Sequence, residues 1–160
     1  MILSQFTVPR EKRYFEDYET GRAYEFGSIT LDEPEIIEFA RRFDPQDMHV
    51  DPNKARVGRF GGIIASGWHT IGTAMRLYVD HYLSSVASLA SPGVDEVRWP
   101  NPVRPGDSIR IRVTILETNP SRSKADRGVV RARIEGFNQK DEPVLSLLAI
   151  SILARRPQTA

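Results

Sequence analysis

The chain has 160 residues, 40% of them hydrophobic and 27% charged, with a formal net charge of +1 and no cysteine. That length suits one ordinary domain with a core of its own, and the composition excludes the disordered and membrane classes. The near-zero charge gives no field to draw nucleic acid or acidic membranes, and the lack of cysteine excludes disulfides, thiolate metal sites and a cysteine nucleophile.

Residues 1–160 read as a single domain, with residues 1–20 as an irregular arm whose Tyr14, Phe15 and Tyr18 pack against the body. Met1 to Val8 is only mildly apolar and runs into Pro9-Arg10-Glu11-Lys12-Arg13, so neither a secretory segment nor a spanning helix is expected. A reducing, cytoplasmic setting is the matching expectation. Ala23 to Ile29, aromatic and β-branched after a Thr20-Gly21 turn, predicts a strand. Asp32, with Pro34 and Glu35 behind it, has the pattern of a helix start. Ile36, Phe39, Ala40 and Phe43 then recur at helical spacing, and Pro45 forces the helix to end at Asp44.

The stretch from Phe43 to Thr70 is too long and too polar for a plain connection, which averages about 4–6 residues. Beyond it, Trp68 to Ala90 holds apolar residues at spacings of three and four and few charges, which predicts a long central helix buried on all sides and stopped by Ser91-Pro92-Gly93. The rest predicts strands. Ile109, Ile111, Val113 and Ile115 alternate with polar residues, as do Val130, Ala132 and Ile134. Val144 to Leu153 is almost continuously apolar, which fits a strand buried on both faces or central in the sheet. The sum is an α+β fold, an antiparallel sheet packed on one long helix.

Asp44 and His49 are close enough in sequence for a turn to bring carboxylate and imidazole together. Such a pair can hold a water, one partner taking a proton and the other giving one, as addition or elimination of water requires. Read alone, the pair fits equally a helix-end turn former beside a satisfied core histidine. Phe60-Gly61-Gly62-Ile63-Ile64-Ala65-Ser66-Gly67 leads into the central helix, whose first free N–H groups, Gly67's among them, carry the positive end of the dipole. An amide without a neighbouring side chain can approach a ligand carbonyl and stabilise a developing enolate oxygen. The same residues also suit a tight glycine turn and a Ser66 helix cap. Asp47, His49 and Asp51 could ligate a metal if extended, yet Asp51-Pro52-Asn53 reads more simply as a turn. No metal is expected.

These residues carry a resemblance to the MaoC-like hydratase family of hot-dog folds. Its motif runs roughly F-x-x-x-x-G-D-x-N-P-x-H-x-D, then A, then F-x-G-x-I-x-H-G. The chain matches it at Asp44, His49, Asp51, Ala55, Phe60, Gly62, Ile64 and Gly67, and departs from it at Phe43, Gln46, Asp47 and Ser66. Pro102-Val103-Arg104-Pro105-Gly106-Asp107 is similar to a turn that opens a strand in the same family. The resemblance implies a hot-dog domain, at least a homodimer, that hydrates trans-2-enoyl thioesters of coenzyme A or dehydrates 3-hydroxyacyl thioesters, with R stereochemistry. It implies no cofactor beyond the coenzyme A of the substrate, and no nucleic-acid or membrane partner. By carry-over, Asp44 and His49 activate water and Gly67 donates its amide to the thioester carbonyl. Gln46, Ser66, Trp68 and His69 are the candidate substrate-binding residues, core packing being as good a reading of Trp68 and His69. The rival readings are a thioesterase on the same fold and a silent acyl-CoA-binding or partner subunit.

Overall fold

The structure, a computed structural model, describes residues 2, 3 and 5–159. Its sheet is built from β1 (Ile2–Leu3), β2 (Ala23–Thr30), β3 (Ser88–Arg98), β4 (Ser108–Pro120), β5 (Arg127–Phe137) and β6 (Pro143–Ala154), in the spatial order β1-β2-β4-β5-β6-β3. The two-residue β1 runs parallel to β2, and every other pair is antiparallel. The helices are α1 (Glu33–Phe43), α2 (Asp47–Val50), α3 (Pro52–Val57) and α4 (Gly67–Leu77).

The alternation in the strands sets what lies inside. Ile109, Ile111, Val113 and Ile115 are fully buried along β4, and Val130, Ala132 and Ile134 match them on β5. Burying side chains of this size stabilises by about 1.5–3 kcal/mol each. Although β6 is nearly continuous in apolar sequence, it too alternates: Leu145, Leu147, Ala149, Ser151 and Leu153 are buried, while Leu148, Ile150 and Ile152 stay half-buried on the other face. The inner rows pack on Ala74 and Leu77 of α4 and on Tyr78 and Tyr82 beyond it. An adjoining cluster of Ile36, Ala55, Ile63, Ala65, Val103, Ile109 and Val144 seats α1, α3 and the approach to α4 at one end of the sheet.

The α+β arrangement agrees with the reading of the sequence, but the central helix does not reach Ala90. It is α-helical to Leu77, widens into one π turn over Tyr78–Tyr82, and gives way to β3 at Ser88. The reason lies in the arm. Arg13, almost fully buried, donates to the carbonyls of His81 and Tyr82 at 3.1 and 2.6 Å, and the Tyr18 hydroxyl donates to Tyr82 at 3.0 Å. Ser84 then accepts from the amides of Val86 and Ala87, which turns the chain away. Carbonyls that would have continued the helix are thus taken by groups far upstream. Among its described residues the arm is less irregular than expected, with 3₁₀ turns at Arg10–Lys12 and Phe15–Asp17.

Ser91-Pro92-Gly93 is therefore no helix stop. It lies within β3, where the register with β6 shifts between Ala90 and Gly93. Proline is tolerated there because β3 is an edge strand and needs no outward N–H partner. A further difference is Phe43, which is 61% exposed and so lies off the buried face formed by Ile36 and Ala40. No helix among the described residues is long and apolar enough to cross a membrane.

Candidate active site

Asp44 is the C-cap of α1, its N–H bonded to the Ala40 carbonyl at 2.8 Å. Because Pro45 cannot continue the helix, the chain turns and enters the single turn α2, which carries His49. Asp51 follows as the N-cap of α3, accepting from the amides of Asn53 and Lys54, while Asp47 pairs with Lys54 at 3.2 Å. Both carboxylates are thus occupied in shaping the loop. The long polar connection is in fact two short helices arranged to face the approach to α4.

The pair meets there. His49 Nε2 stands 3.3 Å from Asp44 Oδ2, with the imidazole almost fully buried. His49 Nδ1 lies 2.7 Å from the Ile64 carbonyl, and a carbonyl only accepts, so Nδ1 carries the proton and Nε2 is left for chemistry. Ile64 is itself fixed, its N–H bonded to the Met48 carbonyl at 3.1 Å, and the next amide, Ala65, is bonded to Val103 at 2.8 Å.

Asp44 is held from two further sides. Gln46 Nε2 donates to Oδ1 at 2.7 Å and the Ser66 hydroxyl donates to Oδ2 at 2.7 Å. Burial alone would raise the Asp44 pKa, but these two hydrogen bonds, together with the field of His49, outweigh it and hold the carboxyl below its ordinary value. Asp44 is a fixed anion and a weakened base. Two departures from the family motif, Gln46 and Ser66, are the groups that grip it.

Ser66 also caps α4, accepting from the Trp68 amide at 3.3 Å, and its carbonyl takes the His69 amide at 3.0 Å. Of that first turn, Gly67 is left as an N–H with no protein acceptor among the described residues. A cavity of about 230 Å³ opens at this point, lined by His49, Gly67, Thr70, Trp99, Val103 and Val144 among others. Asp44 does not line it; the carboxylate is in contact with the histidine that does.

The candidate residues therefore divide. Asp44, Gln46, His49, Ser66 and Gly67 form one connected group. Trp68 is 61% exposed and stands edge-on to Trp99, with ring centres 5.8 Å apart. His69 stacks flat on Phe39 of α1 at 4.6 Å, its Nδ1 buried without a partner among the described residues, and it does not line the cavity. Burial pushes the His69 pKa below the usual histidine value, against the opposing pull of Glu35. Sequence reasoning missed Trp99, Thr70, Val103 and Val144. An indole immediately before the stiff Pro100-Asn101-Pro102 turn was the available signal for the first, and nothing local marked the rest.

An antiparallel sheet on a central helix, with an acid–histidine pair beside a free helix N-terminal amide, defines a class before any name is attached. The model of the MaoC like domain matches residues 16–136. The chain belongs to this family. It is 36% identical to the MaoC-like dehydratase of Rhodospirillum rubrum, superposing with a TM-score of 0.84 over 91% of this chain and 99% of that one. It is 30% identical to the uncharacterized protein YdeM of Bacillus subtilis, over 88% of this chain and 98% of that protein. It is 37% identical to 3-hydroxyacyl-thioester dehydratase Z of Mycobacterium tuberculosis, over 55% of this chain and 60% of that protein. A double hot-dog protein of the same organism shares the fold, with a TM-score of 0.76 at 17% identity.

Proposed function

We propose that the chain catalyses the reversible hydration of a trans-2-enoyl-CoA to a 3-hydroxyacyl-CoA. The observation that carries this reading is the contact between Asp44 Oδ2 and His49 Nε2, 3.3 Å, at a cavity wall that also presents the free Gly67 amide. The dehydratase names of the relatives from Rhodospirillum rubrum and Mycobacterium tuberculosis support it. R stereochemistry rests on the family resemblance.

In the hydration direction His49 Nε2 takes a proton from water, and the hydroxide oxygen forms a bond to C3 as the C2–C3 double bond gives its electrons to the thioester. The enolate oxygen so formed accepts from Gly67 N–H at the positive end of α4. His49 then returns its proton to C2. Asp44 stabilises the imidazolium between the two steps and, with its pKa held down, does not compete for the proton. Dehydration is the same path reversed.

A homodimer is part of the proposal. Among the described residues the edge strand β3 is unpaired on its outer side, and it is exposed through almost its whole length, including Leu89 and Val94. Such an edge invites pairing with a second strand. A cysteine-free chain is also suited to the cytoplasm.

Incubation with crotonyl-CoA tests the activity. Loss of enoyl-thioester absorbance with no free thiol is expected. Thiol release identifies a thioesterase instead, and no turnover across enoyl-CoA chain lengths identifies a silent binding subunit.

A further inference from the structure

Trp99 leaves β3 and is braced by the turn behind it, where Asn101 Nδ2 donates to the Pro143 carbonyl at 2.8 Å. Its indole lies directly against Gly67. A Cβ placed on that glycine would fall 2.7 Å from both Cδ2 and Cζ2 of the ring, distances that real Cβ atoms do not adopt. The Nε1–H of Trp99 donates to the Gly67 carbonyl at 3.0 Å. The glycine is therefore demanded by the indole whatever else it serves. Trp99 is also 44% exposed at the rim of the cavity, while Val103, Val144 and Thr70 form its buried depth.

These positions have a consequence for a bound thioester. An acyl group seated toward the buried end, with its carbonyl oxygen on Gly67 N–H, places its C1 and sulfur beside the indole that lies against that glycine. We propose that Trp99 is a substrate-positioning residue: its ring is the wall against which the thioester is pressed, and its hydrogen bond steadies the turn that aims the Gly67 amide. The inference rests on the acyl-thioester reading of the site.

The test compares Trp99→Ala, Trp99→Leu and Trp99→Phe, each checked for folding by circular dichroism. Calorimetry with butyryl-CoA, which cannot react, and with free CoA reads seating independently of turnover. Trp99→Ala is expected to weaken butyryl-CoA about tenfold or more, as loss of a packed tryptophan anchor does, and to leave free CoA unchanged. Trp99→Leu should fall between, and Trp99→Phe, which keeps the wall, should recover most of the binding. With crotonyl-CoA, kcat should fall by about 10²-fold in Trp99→Ala, the size expected for a misplaced reacting group. Equal loss of butyryl-CoA and free CoA binding, or butyryl-CoA binding that is unaltered in Trp99→Ala or no tighter than that of free CoA in the wild type, overturns the proposal. A wild type that does not hydrate enoyl-CoA but loses selective butyryl-CoA binding in Trp99→Ala overturns the hydratase reading and leaves Trp99 in its role.

Discussion

Replacing Ser66 by alanine removes two interactions at once, and pH separates them. One is the cap on the Trp68 amide, whose loss costs about 1 kcal/mol. The other is the 2.7 Å hydrogen bond to Asp44. Hydrogen bonds to charged groups contribute about 1.5–3 kcal/mol, and since Gln46 and His49 still hold Asp44, the lower end applies. The sum at pH 7 is about 2.5 kcal/mol, a fall in Tm of roughly 5–10 °C for a chain of this length. The folded pKa of Asp44 is depressed, so its stabilisation is present above the unfolded carboxyl value and is lost as pH falls through the folded value. Urea unfolding of both proteins at pH 7 and at steps down through the acid range should show the difference shrinking from about 2.5 toward about 1 kcal/mol, the cap alone, as pH falls through the folded Asp44 value. A difference that stays constant between those pH values would refute the account of Asp44 as an anion gripped by Ser66. The variant's kcat/KM should also lose activity on the acid side at a higher pH than the wild type.

Gly67→Ala should drive the Trp99 ring off α4, costing about 1–3 kcal/mol as overpacking does and red-shifting tryptophan emission. His69 has a folded pKa below its unfolded value, so protonation favours unfolding. The wild type should therefore lose stability below about pH 6.5, and His69→Phe should flatten that fall between pH 6.5 and 5 in urea titrations. Arg13→Leu strips the guanidinium from the carbonyls of Val8 and His81 and leaves Tyr82 with the Tyr18 hydroxyl alone; at about 1 kcal/mol for each of the two carbonyls left unpaired, thermal unfolding should show a loss of about 2 kcal/mol.

What the sequence made legible is what local rules decide. The period-two alternation in β4 and β5, the Asp32 cap and the stop at Pro45 are each fixed by residues within a few positions, and each recurs in the structure. Asp51-Pro52, read as a turn, held the signal of a helix start, an N-cap before a proline at the first helical position. The end of the central helix was not legible at Ser84-Ser85-Val86, because the groups that stop it, Arg13 and Tyr18, lie more than sixty residues earlier. Within the site, Asp44, His49 and Gly67 could be picked out by residue type. The Ile64 carbonyl that sets the histidine tautomer has no side-chain signature, and neither does the role of Val103 or Val144, since depth in a cavity is a property of the assembled sheet. Gly67 carried a signal that pointed two ways: a bare amide suits a ligand carbonyl, but the contact visible at its Cα is an indole.

The clasp that Arg13 and Tyr18 place on the end of α4 also bears on the order of assembly. Arg13 reaches Tyr82 across 69 residues of chain and Tyr18 reaches it across 64. On a ribosome the arm emerges first but has nothing to hold until the helix has been made, so its buried guanidinium must wait in water. Closure over so long a loop is slow and forms late. Substitutions at Arg13 should then act mainly on the rate of unfolding, with little change in the rate of folding. The arm is a latch on the finished domain, and its release would be felt first in the protein's lifetime.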